Sequence, residues 1–454
     1  MKQNYILLFF SLILALFGGC KKDIDEVQPI NVNVQLSVNP EEVWFEVPYD
    51  KAEITLINKG NGSSYKLQAD TKGKISLHNI APGNYSINVS LAISAEEYTK
   101  LTGVNRSSIF YLNYALADKA LFADEDFNIS LVTSEPVGGF VIKQIYYAGS
   151  DTKEGALNRD NFIEIYNNSD ETLYADSLMV VLAYGKPNNK TDEYSLSNNQ
   201  YDWSKSINMA VSNNANEDYV YAKGIFMIPS DGTGKKYPVE SGKSIIIAGS
   251  ALDYAGSYKD NNGNIIGAQK PELTVDLSNA DFEAWLYPYE QKIQPGRTIF
   301  ANDVDNPSVT NVEVFLALSM RDMYFPPQAR ESFVLMKADG NFDLNNIPSF
   351  AIPTIQTVTT STVRYAQMPA RFILDAVEIQ EPIVADQIPR RLPQRFDAGA
   401  ISVPGGAYSS QSIVRKTEKK IGNRRILKDT NNSSNDFGVL QRANPTKTDA
   451  SFID

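Results

Sequence analysis

Two pairs of carboxylates and one alternating run of oxygen-bearing side chains are the residues whose types and spacing could do chemistry in this chain. Asp160 with Glu164, and Asp375 with Glu378, could act as general acid and base if a cleft held them close together. If Asp160–Glu164 lies on a strand, both acids share a face with Phe162 while Ile163 and Ile165 take the other; that reading puts Glu164 on a rim or against a neighbouring loop. The run ADGNFDLNNIP sets Asp339, Asn341, Asp343 and Asn345 at alternate positions, a spacing that lets oxygens converge on calcium. It lacks glycine at the sixth place and glutamate at the twelfth, where Phe350 stands, and an Asp-Gly hairpin explains Asp339-Gly340 equally well. Histidine occurs once, His78 in SLHNIAPG, so a Ser-His-Asp or multi-histidine metal mechanism would need that single turn residue. No GxxxxGK[ST] or strand-linked GxGxxG occurs, so no nucleotide cofactor is expected, and calcium is the one ion left open.

Binding offers a second set of candidates. Tyr201 and Trp203 in NQYDWSKS, Trp285, Tyr287 and Tyr289 in EAWLYPYEQ, and Tyr324 in MRDMYFPPQAR sit among polar residues. Exposed, such rings stack on sugars or anchor a protein interface; packed, they cover the loops of a sandwich. Arg390, Arg391, Arg395, Arg415, Lys416, Lys419, Lys420, Arg424 and Arg425 make the C-terminal region locally basic. They read either as a solvated strand face answering the acidic surplus or as a docking face for an acidic partner. The formal net charge of -12 argues against a nucleic-acid partner.

The elements that must position these residues are mostly strands. NVNVQLSV alternates apolar and polar residues from position 31, and AEITLINKGNGSSYKLQADTKGKISLHNIAPGNYSINVS gives three further runs punctuated at Gly60–Gly62, Lys72-Gly73 and Pro82-Gly83. Pro82-Gly83 reads as a tight reversal with glycine at positive φ. SAEEYTKLTG is the best helix candidate, with Ser94 as N-cap and Glu97 three residues on. SEPVGG, residues 134 to 139, breaks the pattern and marks a domain boundary. Strand-like runs resume in FVIKQIYYAGS, DNFIEIYNNSDETLYADSLMVVLAYG and YPVESGKSIIIAGSALDY. A mainly β chain of two β-sandwich domains is expected, at 30–133 and 140–454.

The beginning of the chain has its own chemistry. MKQNYILLFFSLILALFGGC reads as a secretory leader, residues 1–19, ending at Cys20, the sole cysteine. It resembles a bacterial lipobox, with Phe17 where leucine is commoner; the resemblance implies cleavage before Cys20 and acylation of its sulfur, with multiple acyl chains giving stable anchoring. The tether 20–29 follows, and its Lys21, Lys22, Asp23, Asp25 and Glu26 resemble the acidic surface-export signal of Bacteroidota-type lipoproteins, which implies an outer-membrane anchor facing the medium.

Residues 52–90 are similar to the prealbumin-like repeats of carboxypeptidase regulatory and adhesin domains, and FIEIYNNSDETLYADSLMV with VESGKSIIIAGSALD resembles an immunoglobulin-like lamin-tail domain. That second pattern is interrupted at about 252–398, which reads as a large insertion. Over nearly its whole length the chain resembles an uncharacterised, domain-of-unknown-function family of surface lipoproteins. This resemblance implies a non-catalytic accessory of a TonB-dependent outer-membrane transporter. A surface hydrolase or lyase using carboxylates and tyrosines of the insertion, and a purely architectural envelope protein, are the alternatives.

Overall fold

The computed structural model describes residues 28–105, 109–134, 139–185, 192–318 and 322–454. Cys20, Lys21, Lys22, Asp23, Asp25 and Glu26, and most of the SEPVGG boundary, lie outside the described residues. The protein is mainly β throughout.

The first domain has seven strands: β1 (Ile30–Val38), β2 (Glu53–Asn58), β3 (Ser64–Leu67), β4 (Lys74–Ile80), β5 (Gly83–Ile93), β6 (Phe110–Leu121) and β7 (Glu125–Ser134). They are ordered β3-β2-β5-β6-β7-β1-β4. The alternation in the sequence is the alternation in space: Ile30, Val32, Val34 and Leu36 of β1 are buried while their neighbours face outward. Glu125–Leu131 of β7 runs parallel to β1, then Val132–Ser134 pairs with β6, so one strand carries the sheet from one layer to the other around a single core. Beyond Asn113 the backbone of β6 pairs with no strand on that side among the described residues.

The expected helix forms at Ala95–Thr102, with the Ser94 hydroxyl accepting from the Glu97 amide at 3.2 Å and Gly103 closing it at φ 74°. At Pro82-Gly83 the reason for glycine differs from the expectation. Gly83 begins β5 at φ 159°, nearly extended; a Cβ there would stand 2.9 Å from Asn58 Nδ2, so close approach excludes a side chain.

The second domain is a sandwich of two seven-stranded sheets. One runs Thr310–Asn311, Phe282–Glu283, Ser244–Ala248, Phe162–Asn167, Phe140–Tyr146, Ser412–Arg415, Phe437–Leu440. The other runs Ser349–Phe350, Tyr365–Pro369, Tyr219–Met227, Met179–Tyr184, Glu331–Met336, Ile373–Val377, with Glu313–Ala317 also pairing to Tyr219–Met227. Ile142, Ile163, Ile165, Val180, Leu182, Phe226, Phe333 and Ile413 fill the space between them. Residues 252–398 supply strands to both sheets, so what reads in sequence as an insertion is woven into the sandwich.

Both outer faces are covered as well. Leu252, Tyr254, Val275 and Leu277 pack over Tyr146 and Phe162 on one sheet, and Leu392, Ala370 and Phe372 close over Met179 and Val181 on the other. Strands that would otherwise show a solvated face are therefore buried along their whole length.

Candidate functional site

Burial of both faces overturns the rim reading of Glu164. Its side chain is fully buried; Oε1 takes bonds from Lys143 Nζ at 2.8 Å and Ser244 Oγ at 2.5 Å, and Lys143 also donates to Ser451 Oγ at 2.8 Å. Asp160 is equally buried and stands apart from that pair, accepting from Tyr146 and Ser150 hydroxyls at 3.3 Å each. Burial pushes its carboxyl up to about 7. Asp375 and Glu378 face different cations: Arg415 NH2 reaches Asp375 Oδ2 at 2.5 Å, and Arg391 NH2 reaches Glu378 Oε1 at 2.9 Å. Neither acid pair shares an open cleft, and Glu164, Asp375 and Glu378 are each engaged by a buried cation.

The expectation of a solvated basic face fails at three positions. Arg390, Arg391 and Arg415 are buried. Arg395 and Lys420 remain exposed, with Asp218 and Asp454 as partners, and Lys419 lies on the exposed part of the hairpin Thr417–Ile421/Arg424–Leu427. Arg424 donates to Ser241 Oγ at 3.1 Å, Lys416 to Asn435 O at 2.9 Å, and Arg425 is paired with Asp449 at 3.5 Å.

Tyr201 and Trp203 are core residues. Trp203 stacks on Tyr221 at 3.9 Å between centroids and meets Tyr201 edge-on at 5.6 Å. Trp285 and Tyr287 are half-buried and tilted against each other at 5.8 Å, while Tyr289 packs on the central core and its hydroxyl accepts from the Ala317 amide at 3.3 Å. Of the six aromatics, Tyr324 alone is exposed, at 36%.

In the Asp339–Asn345 run, Asp339 caps the Asn341 amide at 3.1 Å and Asp343 the Asn345 amide at 2.9 Å. All four polar side chains point outward and Phe342 packs on Phe372, so the alternation is that of a two-faced loop. Among the described residues no group of three His, Cys, Asp or Glu side chains is placed to hold a metal ion. His78 is on β4 and exposed, 3.3 Å from Asn31 Oδ1.

The site that emerges instead is a cleft of about 400 Å³ between the domains. Its floor is the outer face of β2, β5 and β6, where Thr55, Asn88 and Ala115 lie in register beside Ile57 and Ser86. Its roof comes from second-domain loops carrying Gln380, Gln387, Arg390, Ser402 and Asn435.

Buried carboxylates brace this roof. Asp397 accepts from the Gly399 amide at 3.0 Å, the Ser433 amide at 2.8 Å and the Glu378 amide at 2.7 Å; Asp436 accepts from the Thr430 amide at 2.9 Å. Burial raises Asp397 to about 6, opposed by the charge of Arg390. Gly399 is required because a Cβ would lie 2.1 Å from Asn432 Oδ1. The roof is tied to the floor by Asn113 donating to Thr430 O at 2.6 Å and by Asn88, which accepts from Asn432 Nδ2 at 2.9 Å and donates to Asn435 Oδ1 at 2.5 Å.

Among the described residues two cations line the cleft, Lys59 from the floor and Arg390 from the roof. Arg390 is buried and held in place. Its NH1 donates to Gly399 O at 2.8 Å, NH2 bonds Asp397 O, and Nε is buried without an acceptor. No aspartate or glutamate lines the cleft, although the whole chain carries 54 acids against 42 lysines and arginines.

Residues 240–444 match the family model of a protein of unknown function, DUF4876. A DUF4876 family protein from Bacteroides thetaiotaomicron is similar over 90% of this chain and 95% of that one, at 23% identity and a TM-score of 0.46. A DUF3823 family protein from Bacteroides ovatus is similar over 48% of this chain and 98% of that one, at 15% identity and a TM-score of 0.16. No curated protein matches. The roof of the cleft, Gln380 to Asn435, falls inside the DUF4876 match, and the floor falls outside it.

Sequence reasoning missed the cleft because Arg390 and Arg391 read together as surface charge. The signal that separates them is Glu378 at the end of a run of apolar residues, ILDAVEI: a buried acid there needs a cation, and Arg391 answers it while Arg390 turns to the cleft.

Proposed function

We propose that this protein is a lipid-anchored, surface-facing outer-membrane protein that works by binding, as the soluble accessory of a TonB-dependent transporter. Its first domain is of the prealbumin type and its second of the lamin-tail type. In this reading Cys20 carries the acyl anchor and Lys21 to Glu26 direct export, while the interdomain cleft holds a neutral or anionic ligand rich in hydrogen-bonding groups.

The observation that carries the reading is the lining of that cleft. A cavity free of carboxylates, lined by the cations Lys59 and Arg390, by amides and hydroxyls, and by Ile57, Leu116 and Ile401, stands apart in a protein of net charge -12. Engagement of Glu164, Asp375 and Glu378 in buried ion pairs supports binding over hydrolysis.

Ala117 is exposed on the cleft floor, and Ala117→Trp fills the cavity without removing a bond. A thermal-shift screen of neutral and acidic oligosaccharides and peptides should yield a stabilising ligand whose effect Ala117→Trp abolishes. A ligand equally effective on both proteins would place binding elsewhere. Palmitate labelling lost in Cys20→Ala, protease shaving of intact cells, and capture of a β-barrel from solubilised outer membranes test the anchor, the orientation and the partner.

A further inference from the structure

A second cavity, of about 300 Å³, lies in the second domain and shares no residue with the interdomain cleft. Adjacent strands build it. Tyr184 ends the strand Met179–Tyr184 directly opposite Glu331, Lys223 comes from Tyr219–Met227, and Tyr365 opens the strand Tyr365–Pro369. The Tyr184 and Tyr365 rings stack at 3.9 Å and 25°. Tyr324 and Val363, 36% and 47% exposed, line the same cavity, together with Gln328 and Arg330.

Its polar centre is unusual. Glu331 is 3% exposed and its Oε1 takes a bond from Lys223 Nζ at 2.8 Å, while Oε2 is buried and accepts none. A buried carboxylate oxygen without a donor is destabilising, and a ligand that donates to it removes that cost. The chemistry narrows the ligand class. A wholly apolar ligand leaves Oε2 unpaired, an anion meets the charge of Glu331, and a cation meets Lys223 and Arg330. A molecule that fits offers a hydroxyl donor to Glu331 and a neighbouring hydroxyl acceptor to Lys223 or Arg330, with a C–H face for a tyrosine ring.

We infer that this cavity is a subsite for a neutral hexopyranose, with Tyr324 covering the sugar face and the Glu331–Lys223 pair reading two adjacent hydroxyls. The cavity volume lies at the low end of the range for small-molecule sites, which suits one sugar unit.

Saturation-transfer NMR on the full chain with methyl glucoside, galactoside, mannoside and glucuronide tests it. Transfer to ring protons of at least one neutral pyranoside is expected, weakened about tenfold or more by Tyr324→Ala and restored by Tyr324→Phe. Glu331→Gln should weaken binding too, and Ala117→Trp should leave it unchanged, which separates this site from the interdomain cleft. Transfer to the glucuronide alone, no transfer to any of the four, or insensitivity to Tyr324→Ala would overturn the inference.

Discussion

Arg415 offers the sharpest test of how the second domain is held. Its guanidinium is 1% exposed and reaches Asp375 at 2.5 Å, Asp429 at 3.1 Å and Asp436 at 3.6 Å. It also donates to Ile142 O at 2.9 Å and Lys428 O at 3.0 Å, and lies 4.6 Å from the Phe437 ring centre. Arg415 belongs to one sheet and Asp375 to the other, so the ion pair is a bolt through the sandwich.

Arg415→Met keeps the aliphatic volume and strands these acids. Losing one partner of a buried pair costs ~3–5 kcal/mol, which lowers the melting temperature by roughly 5–8 °C for a domain of this size. Burial already lifts Asp375 and Asp436 to about 7 against the pull of Arg415. Carboxyls whose folded pKa exceeds the unfolded value stabilise fully below the unfolded pKa and lose that contribution as pH rises through the folded one. Removing the cation raises the folded pKa further, so the defect of Arg415→Met should grow between pH 5 and 8. Asp375→Asn in the Arg415→Met background should return on the order of 2 kcal/mol as coupling energy. Urea denaturation of the four proteins at both pH values measures this. Additive costs below about 1 kcal/mol, independent of pH, would refute the bolt.

Trp203→Ala should destabilise by ~3–5 kcal/mol in denaturant titrations, because the ring is core and stacked on Tyr221; Tyr324→Ala, at an exposed position, should stay within about 0.5 kcal/mol. Asp303 is 4% exposed, has an unpartnered Oδ2, and is raised to about 7 by burial and by Asp322, Glu290, Asp305 and Glu283. Asp303→Asn should therefore stabilise at pH 8 by about 2 kcal/mol, half the ~4 kcal/mol that the full shift implies, since neighbouring Asn302 and Asp305 contact solvent. The gain should vanish near pH 3, where the carboxyl is protonated in the folded chain and largely so in the unfolded one. Lys143→Met should cost ~3–5 kcal/mol by leaving Glu164 buried without its cation, and adding Glu164→Leu should recover most of it.

The sequence is most legible where one face of a strand meets water. In β1 the period-two pattern states which side chains go inward, and the Ser94 cap marks a helix start that forms as read. It misleads where a sheet is covered twice. Alternation in Phe162–Asn167 separates two buried environments instead of inside from outside, so Glu164 reads as a rim acid when it is a core acid with Lys143 beside it. Local polarity misleads around Trp203 for a related reason. Asp202 spends its carboxylate on the Ser204 amide and on Asn216 Nδ2, and the turn so formed sends the indole inward. In the Asp339–Asn345 run the same backbone capping uses one oxygen each of Asp339 and Asp343, the acids that by spacing alone suggest calcium.

Twice-covered sheets also explain where binding capacity can reside. Charges drawn into the interior must be paired, and each pair fixes a neighbour: Lys143–Glu164 joins adjacent strands, Arg415–Asp375 joins the two sheets, and Arg391–Glu378 fastens the loop that roofs the cleft. A one-residue slip in any of these strands would bury an unpaired ion, so the pairs select register at least as much as they add stability. Of the buried polar atoms left without partners among the described residues, Arg390 Nε and Glu331 Oε2 belong to side chains lining cavities that open to solvent. One is a donor in a cleft without carboxylates and the other an acceptor beside tyrosine rings, so the two cavities should select ligands of different chemistry, and occupation of one should leave the other free.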